Sequence, residues 1–271
     1  MLAMRMSEAV DSCVTSGVVI HLWLASLEQV APEEIELYQG WFTPSERLQF
    51  SNFLSDRRCR EFIIGRGLAR AALSSLCGAQ PENFEFKASA NGKLIVTSPR
   101  EGVGLHFSIS HTNDIVVCAA SSRYPVGVDV ERIAARAEPL TLSARFFSSS
   151  EHSVLSAVDE KERLDRFFLM WTLKEALAKA HGLSVLTGTD TTHFDLSIRG
   201  ALEAYCWEPC FSEAWLASAA PGGHHRLALC LLCEDSMPVH VRVEWDQTGW
   251  AGGANELNWH EGRLQNRPIQ T

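Results

Sequence analysis

The chain has 271 residues, of which 46% are hydrophobic and 21% are charged. This composition excludes wholesale disorder, and the length allows a substantial core in one large domain or in two halves of ordinary size. Acidic residues outnumber basic ones by 33 to 24, which argues against general nucleic-acid binding because that mode depends on a basic surface.

The beginning of the chain carries no convincing signal peptide. Glu8 and Asp11 interrupt the charged end, and His21 splits the short apolar segment that follows. No stretch of the sequence is long enough to span a bilayer. We therefore expect a cytoplasmic protein that binds no membrane, with residues 1–16 as a flexible N-terminal extension.

A β-hairpin with a polar tip is predicted before the middle of the chain. Apolar and polar residues alternate from Leu105 to Ser110, and the apolar run from Ile115 to Ala120 follows a short turn. His111 opens that turn. A single histidine in a turn is usually solvated, but its position just before an acidic strand makes His111 a candidate site residue.

The segment from Val126 to Glu131 predicts a strand with two carboxylates on one face. Its valines alternate with Gly127, Asp129 and Glu131, which is the period-2 pattern of a strand with one face in a core. Same-face neighbours lie only about 7 Å apart, so a cation or a bound proton has to offset the repulsion between the two acids. Asp129 and Glu131 are therefore candidate metal ligands, with two solvated acids as the alternative.

A helix is predicted farther along the chain. Leu164, Phe168 and Trp171 recur at spacings of four and three, as in the apolar stripe of an amphipathic helix. The same stripe, continued by four residues, reaches Glu175, and Lys179 lies one further turn along. A carboxylate in a core-facing position indicates a functional group, whereas the alternative is an ordinary surface pair.

Eight cysteines raise the question of a zinc site. Cys206 and Cys210, followed by Cys230 and Cys233, have a spacing that superficially suits paired zinc ligands. The last two lie in a continuous apolar run without the tight turn of a zinc knuckle. We interpret the cysteines as small core residues of a reduced protein, with a zinc-stabilised interaction protein as the alternative.

Three of these segments resemble, in order and spacing, the motifs of the surfactin-type 4′-phosphopantetheinyl transferases. The matching segments are Phe107 to Thr112, Val126 to Glu131 and Trp171 to Lys179, with further similarity in Arg145 to Ser148 and Glu151. A looser likeness runs from Thr43 to Leu76. The combined pattern is far more specific than any single motif.

The resemblance implies a magnesium-dependent transfer of the phosphopantetheine arm of coenzyme A to a serine of an apo acyl or peptidyl carrier protein, releasing adenosine 3′,5′-bisphosphate. Mg²⁺ suits the acidic strand because it takes one or two carboxylates and leaves positions for water and substrate phosphate. Asp129, Glu131 and Glu175 are the expected ligands, and Glu175 is also the candidate proton acceptor. Lys179, or else Lys174, would protonate or stabilise the leaving phosphate.

Residues for the nucleotide part of coenzyme A are carried over from the family one at a time. Ser110 and His111 match a serine-histidine pair that contacts the adenosine part and its 3′-phosphate, and Lys93 matches a lysine near the adenine. The family often places proline after that lysine, whereas Leu94 stands here. The stretch after Lys179 is also shorter than the family's usual glycine-containing loop.

Another departure concerns the charge that would hold the 3′-phosphate. Glu46 and Gln49 fall where some relatives place lysines, so another cation has to supply this charge. Arg58 and Arg66 are the candidates, because a planar guanidinium can bond two phosphate oxygens at once. The alternative is that these arginines are solvated or pair with Glu61.

The resemblance also implies an α+β fold with two pseudo-symmetric halves, each an antiparallel sheet packed with helices. Predicted strands of the first half are Val18 to Leu24 and Leu105 to Ala120, and those of the second are Ala214 to Ala219, Leu227 to Leu231 and Val239 to Trp245. We expect an N-terminal half over 17–124, a C-terminal half with the metal site over 125–246, and a tail over 247–271. The nucleotide should lie in the cleft between the halves.

The expected partners are coenzyme A and a carrier protein, bound by a monomeric enzyme. Carrier proteins of this class are usually acidic, so docking on an acidic chain needs a local basic or apolar patch. Arg132, Arg136 and Arg145 are candidates for such a patch. The alternative function is a non-catalytic module that holds coenzyme A or a carrier protein on the same scaffold.

Overall fold

The computed structural model describes residues 17–90, 92–134, 138–183, 192–193, 202–206, 213–233, 238–247, 257 and 259–266. The extension predicted for residues 1–16 lies outside these ranges, as do Arg136 and Cys210.

The first part of the chain combines one long helix with the strands of a sheet. Its elements are β1 (Val18–Ser26), α1 (Pro32–Gly40), α2 (Pro44–Phe50), α3 (Asp56–Cys77), β2 (Glu85–Ala88), β3 (Leu94–Ser98), β4 (His106–His111) and β5 (Ile115–Ser121). A capping box starts α2, because the side chains of Thr43 and Glu46 each accept the other's backbone N–H. The predicted hairpin is formed by β4 and β5.

The second part contains the acidic strand and a second long helix. Its elements are β6 (Val126–Arg132), α4 (Pro139–Phe146), α5 (Ser149–Ala157), α6 (Glu160–His181), β7 (Thr192–His193), β8 (Leu202–Cys206), β9 (Ala214–Ala219), β10 (His225–Leu231), β11 (Val239–Gln247) and β12 (His260–Asn266). The end of α6 is a Schellman motif at Gly182, where φ is +73°. Leu183 N donates to Ala178 O and Gly182 N to Lys179 O.

Within the described residues the strands form three sheets. The first has the order β11-β1-β5-β4, the second has the order β6-β10-β9-β12-β8-β7, and β2 pairs with β3. The predicted α+β class with two halves is confirmed. Most strand pairs are antiparallel, but β1 pairs with β11 and β8 pairs with β12 in parallel.

The end of the chain departs from the prediction. The pattern assigns Val239 to Trp245 to the second half, whereas β11 pairs with β1 and extends the first sheet. Residues 260–266, predicted as part of a tail, form β12 between β9 and β8. An apolar pattern identifies a strand locally but does not identify its partner, and the free edge of β1 accepts the returning chain.

The two larger sheets pack against each other through an apolar layer. Leu22 and Leu24 of β1 share this layer with the valines of β6. The neighbouring residues Trp23 and Ala25 point to the opposite face, where α3 packs. On β6 the alternation leaves Gly127, Asp129 and Glu131 on the face covered by α6, as the period-2 pattern requires.

A row of hydroxyls joins the sheets where β4 meets β6. Alternate backbone N–H groups of β6 donate to alternate side chains of the hairpin: Val128 to Ser108 (3.2 Å), Val130 to Ser110 (3.3 Å) and Arg132 to Thr112 (3.2 Å). These bonds replace the backbone pairing that β6 lacks on this edge. They fix the register between the hairpin with His111 and the strand with Asp129.

None of the helices among the described residues is long and apolar enough to cross a membrane.

Candidate active site

The side chains of β6 and α6 meet at an acidic cluster, which we define as Asp129, Glu131 and Glu175. Lys179 Nζ lies 2.7 Å from Asp129 Oδ1 and 3.0 Å from Ser110 Oγ. The Ser110 hydroxyl donates to the same Asp129 oxygen at 2.7 Å. The strand, the helix and the hairpin therefore converge on the carboxylate of Asp129, a residue that is 4% exposed.

The carboxylates of the acidic cluster perturb one another. Burial raises the pKa of Glu131 to about 7, with a further increase from the charge of Asp129, while Lys179 opposes the shift. Burial also raises the pKa of Glu175 to about 6, again reinforced by Asp129 and opposed by Lys179. A hydrogen bond from the Trp171 side chain favours the ionised form of Glu131. The cluster thus needs more positive charge than Lys179 supplies.

Asp129 offers an oxygen that suits a cation. Its Oδ1 atom accepts hydrogen bonds from Ser110 and Lys179, whereas the buried Oδ2 atom has no hydrogen-bond partner among the described residues. The described part of the chain contains no group of three or more His, Cys, Asp or Glu side chains that could hold a metal ion. The predicted ligands therefore share an electrostatic field without forming a closed protein cage. An open set of carboxylates fits Mg²⁺, which usually keeps water and substrate oxygens in its shell.

The structure separates Lys174 from Lys179. Lys174 Nζ lies 3.0 Å from Glu151 Oε2 in a fully buried ion pair, and 5.5 Å from the centre of the Phe147 ring. Glu151 Oε2 also accepts the backbone N–H of Ser148 at 2.8 Å, which caps α5. This pairing ties α5 to α6, and it places the Lys174 ammonium in a different environment from that of Lys179.

Lys93 reaches the site from the first half, but its ammonium points to backbone. Nζ lies 2.7 Å from the carbonyl oxygen of Lys179, at the end of α6. A cavity of about 300 Å³ lies beside it. Its wall is formed by Gly92, Lys93, Leu94, Phe107, Ser108, Ile109, Lys179 and Leu183.

A second cavity, of about 230 Å³, shares Leu94 and Ile109 with the first. Arg58, Arg66 and His111 line it together with Glu61. The structure therefore brings together the two predicted arginines and the predicted histidine. Lys179 lines the first cavity, and the three basic side chains line the second, which we call the basic end of the two adjoining cavities.

His111 lies in cationic surroundings. Burial lowers its pKa, the nearby Glu61 opposes this shift, and Lys179, Arg58 and Arg57 lower the pKa further. Its Nδ1 atom is 3.6 Å from Glu61 Oε2, and 42% of the side chain is exposed. The surrounding positive charge favours an anion at this end of the cavities.

Glu46 binds two arginines of α3, a role that its position in the sequence does not reveal. It accepts Arg70 Nη2 at 2.6 Å on Oε2 and lies 3.2 Å from Arg66 Nε through Oε1. The guanidinium of Arg66 also lies 5.0 Å from the centre of the Phe62 ring. Glu46 therefore anchors an arginine of the cavity wall. The sequence signal for this arrangement was the spacing of Arg66 and Arg70, which places both on one side of α3.

Two family models cover most of the chain. Residues 125–230 match the 4′-phosphopantetheinyl transferase superfamily model, and residues 29–123 match the N-terminal model of 4′-phosphopantetheinyl transferase. The chain belongs to this superfamily and is a phosphopantetheinyl transferase, an enzyme class that uses coenzyme A as substrate. The family predicted from the motifs is thereby confirmed.

Curated relatives agree with this assignment. The 4′-phosphopantetheinyl transferase Sfp of Bacillus subtilis is 26% identical over 221 residues, which cover 80% of this chain and 94% of the relative. The 4′-phosphopantetheinyl transferase HetI of a Nostoc strain is 29% identical over 164 residues, covering 60% of this chain and 68% of the relative. The human L-aminoadipate-semialdehyde dehydrogenase-phosphopantetheinyl transferase is 26% identical over 183 residues, covering 65% of this chain and 55% of the relative.

Proposed function

We propose that the protein transfers the 4′-phosphopantetheine arm of coenzyme A to a serine of an apo acyl or peptidyl carrier protein, with Mg²⁺, and releases adenosine 3′,5′-bisphosphate. Two observations carry this proposal: the acidic cluster contacts Lys179, which lines the first cavity, and the adjoining second cavity has a basic lining. Coenzyme A has matching chemistry, with a diphosphate at its centre and a further phosphate on the ribose.

The basic end of the cavities suits the 3′-phosphate. Arg58, Arg66 and His111 line it, and Arg66 is held in place by Glu46. We assign the 3′-phosphate to this end because a guanidinium can donate two bonds to one phosphate and a nearby phosphate favours charged histidine. Ser110 lies between this end and Asp129, where it orients the carboxylate.

The diphosphate is assigned to the part of the first cavity beside Lys179 and the acidic cluster. Asp129, through its unpartnered Oδ2 atom, would hold Mg²⁺ together with Glu131 and Glu175. When bound, the metal would polarise the phosphate under attack and offset charge on the leaving phosphate. The pKa of Glu131 is raised to about 7 and that of Glu175 to about 6. These shifts support the assignment, because they indicate that the site without a bound cation has too little positive charge for its carboxylates.

Proton transfer is assigned to Glu175 and Lys179. In the transfer, the serine oxygen bonds to the phosphorus next to pantetheine, and the bond from that phosphorus to the bridging diphosphate oxygen breaks. Glu175 accepts the serine proton directly or through water, and its pKa of about 6 leaves it mostly ionised at neutral pH. Lys179 donates a hydrogen bond or a proton to the leaving phosphate. Lys174 is left out because its ammonium is paired with Glu151.

The carrier protein is proposed to dock near the end of β6. Arg132, the last residue of β6, and Arg145, in α4, are both exposed, and Arg145 lies 5.0 Å from the centre of the Phe146 ring. Exposed arginines complement an acidic partner even when the whole chain is acidic, because charges more than about 8 Å apart are largely screened at physiological salt.

The test is a mass measurement on the carrier. Purified protein, coenzyme A, Mg²⁺ and a panel of apo carriers from fatty acid, polyketide and nonribosomal peptide synthesis are incubated together. The proposal expects at least one carrier to gain the mass of phosphopantetheine, and adenosine 3′,5′-bisphosphate to appear in equal amount. Absence of transfer across the panel, with coenzyme A still bound, would favour a binding module on the same scaffold.

A further inference from the structure

The ammonium of Lys93 is bonded to two elements of the active site at once. Nζ lies 2.7 Å from the carbonyl oxygen of Lys179, 3.1 Å from that of Ala180 and 3.3 Å from that of Val126. The first two are in the last turn of α6, and the third is the first residue of β6. An ammonium has three N–H donors. All three are used here, so none remains for a nucleotide.

The carbonyls of Lys179 and Ala180 are among the groups that a helix end leaves without hydrogen-bond partners. The last four carbonyls of an α-helix have no intrahelical donor, and their combined dipole favours a cation. The Schellman motif at Gly182 satisfies Ala178 O and one lone pair of Lys179 O. Lys93 supplies donors to Lys179 O and Ala180 O from outside the helix. Burial lowers the pKa of Lys93 to about 8, as expected for an ammonium removed from water.

The position of Lys93 connects this contact to catalysis. It lies between Gly92 and the first residue of β3, in the first half, whereas α6 and β6 belong to the second. The bonded carbonyl of Lys179 belongs to the residue whose ammonium lies 2.7 Å from Asp129 Oδ1. The bonded carbonyl of Val126 lies at the start of the strand that carries Asp129.

We propose that Lys93 is a positioning residue that clamps the end of α6 to the start of β6 and so holds Lys179 on Asp129. This proposal rests on the proposed transferase function. It differs from a contact between the Lys93 ammonium and the adenine, which the family resemblance implies. Loss of the clamp should release the last turn of α6, and Lys179 would then lose its fixed position beside the leaving phosphate.

The test compares Lys93→Met with Lys87→Met. Methionine has nearly the length of lysine but donates no hydrogen bond, and Lys87 is exposed on the neighbouring strand β2. For Lys93→Met we expect kcat to fall about tenfold or more while KM for coenzyme A changes less than about twofold. Amide hydrogen exchange should accelerate at Gly182 and Leu183, whose N–H groups close the helix. Lys87→Met should change none of these quantities.

The opposite pattern of changes in kcat and KM would overturn the proposal. A higher KM with unchanged kcat, together with unchanged exchange at Gly182 and Leu183, would show that the Lys93 ammonium binds the nucleotide. If the wild-type protein transfers nothing to any carrier, the proposed function fails, and the exchange measurement still decides whether the clamp exists. If Lys93→Met does not fold, Lys93→Gln is measured with the same criteria, because its shorter side chain with two N–H groups cannot bond all three carbonyls.

Discussion

Gly127 of β6 and Ala176 of α6 are in direct backbone contact. A Cβ atom on Gly127 would lie 1.9 Å from the carbonyl oxygen of Ala176 and 2.6 Å from the backbone nitrogen of Ala180. The acidic strand therefore lies against the helix with no side chain between them at this point. This close approach allows Lys179 Nζ to reach Asp129 Oδ1 at 2.7 Å.

We expect Gly127→Ala to destabilise the protein strongly. The clash is with helix backbone, which cannot rotate away, so we expect the free energy of unfolding to fall by at least about 3 kcal/mol. The change is measured by urea or thermal denaturation. Gly40→Ala is the matched control, because nothing lies within 4 Å of a Cβ there. A Gly127→Ala protein as stable as the control would contradict the contact between β6 and α6.

The sequence predicted which residues make up the acidic cluster because that information is local. Asp129 and Glu131 share a face through period-2 alternation, and Glu175 and Lys179 lie one helical turn apart. The hydrophobic pattern also defined the face of the strand and the face of the helix on which these side chains lie. Once α6 packs on this face of β6, the acidic residues of the strand and those of the helix come close together, and no other contact is needed to bring this about.

The sequence could not predict where the other basic residues point. Lys93 bonds to a carbonyl 86 residues away, and the charge on Lys174 is taken up by Glu151 on a different helix. Glu46 was interpreted only as a missing lysine, although it orients Arg66. The partner of β11 was likewise missed. These features depend on long-range packing, which a local pattern of residue types does not encode.

Glu175→Gln should slow turnover while leaving coenzyme A binding largely intact. The amide keeps the size of the side chain but cannot accept the serine proton, so we expect kcat to fall about 100-fold or more. The dissociation constant for coenzyme A, measured by calorimetry, should change little. Glu160→Gln, at an exposed position in the first turn of α6, is the control. Normal turnover by Glu175→Gln would rule out its role as proton acceptor.

Asp129→Asn should remove the response to Mg²⁺ together with activity. The substitution keeps the shape of the side chain. It removes the negative charge that pairs with Lys179 and that would bind the metal. We expect transfer to fall at least about 100-fold at any Mg²⁺ concentration. Rates are measured in a magnesium titration, with Glu85→Gln on the exposed strand β2 as the control. Full magnesium-stimulated transfer by Asp129→Asn would exclude Asp129 as a ligand.

Arg58→Ala should weaken binding of the 3′-phosphate and nothing else. Loss of one charge-assisted contact predicts an increase of about tenfold in KM for coenzyme A. Dephospho-coenzyme A lacks the 3′-phosphate, so its KM should be the same for the variant and the wild type. Arg123→Ala, on the exposed turn after β5, is the control for loss of one positive charge. An equal increase for both substrates would place the 3′-phosphate elsewhere.

The effect of Mg²⁺ on stability should depend on pH. The folded protein raises the pKa of Glu131 to about 7 and that of Glu175 to about 6, from an ordinary value of 4.5. A carboxyl with a raised pKa binds its proton more tightly in the folded state, so its stabilising contribution is complete below pH 4.5 and is lost as pH rises through the folded pKa. Without metal, these two groups therefore make the protein less stable at pH 8 than at pH 5.5.

At pH 8 both Glu131 and Glu175 are ionised, and a bound cation should relieve the repulsion within the acidic cluster. We expect Mg²⁺ at about 100 times its dissociation constant to add about 2.7 kcal/mol at pH 8, which corresponds to several degrees in Tm. At pH 5.5 the same concentration should add much less, because protons compete for Glu131 and Glu175. Thermal unfolding with Mg²⁺ and with EDTA at both pH values measures the difference. Glu131→Gln should flatten the pH dependence, and an equal Mg²⁺ effect at both pH values in the wild type would contradict metal binding at this cluster.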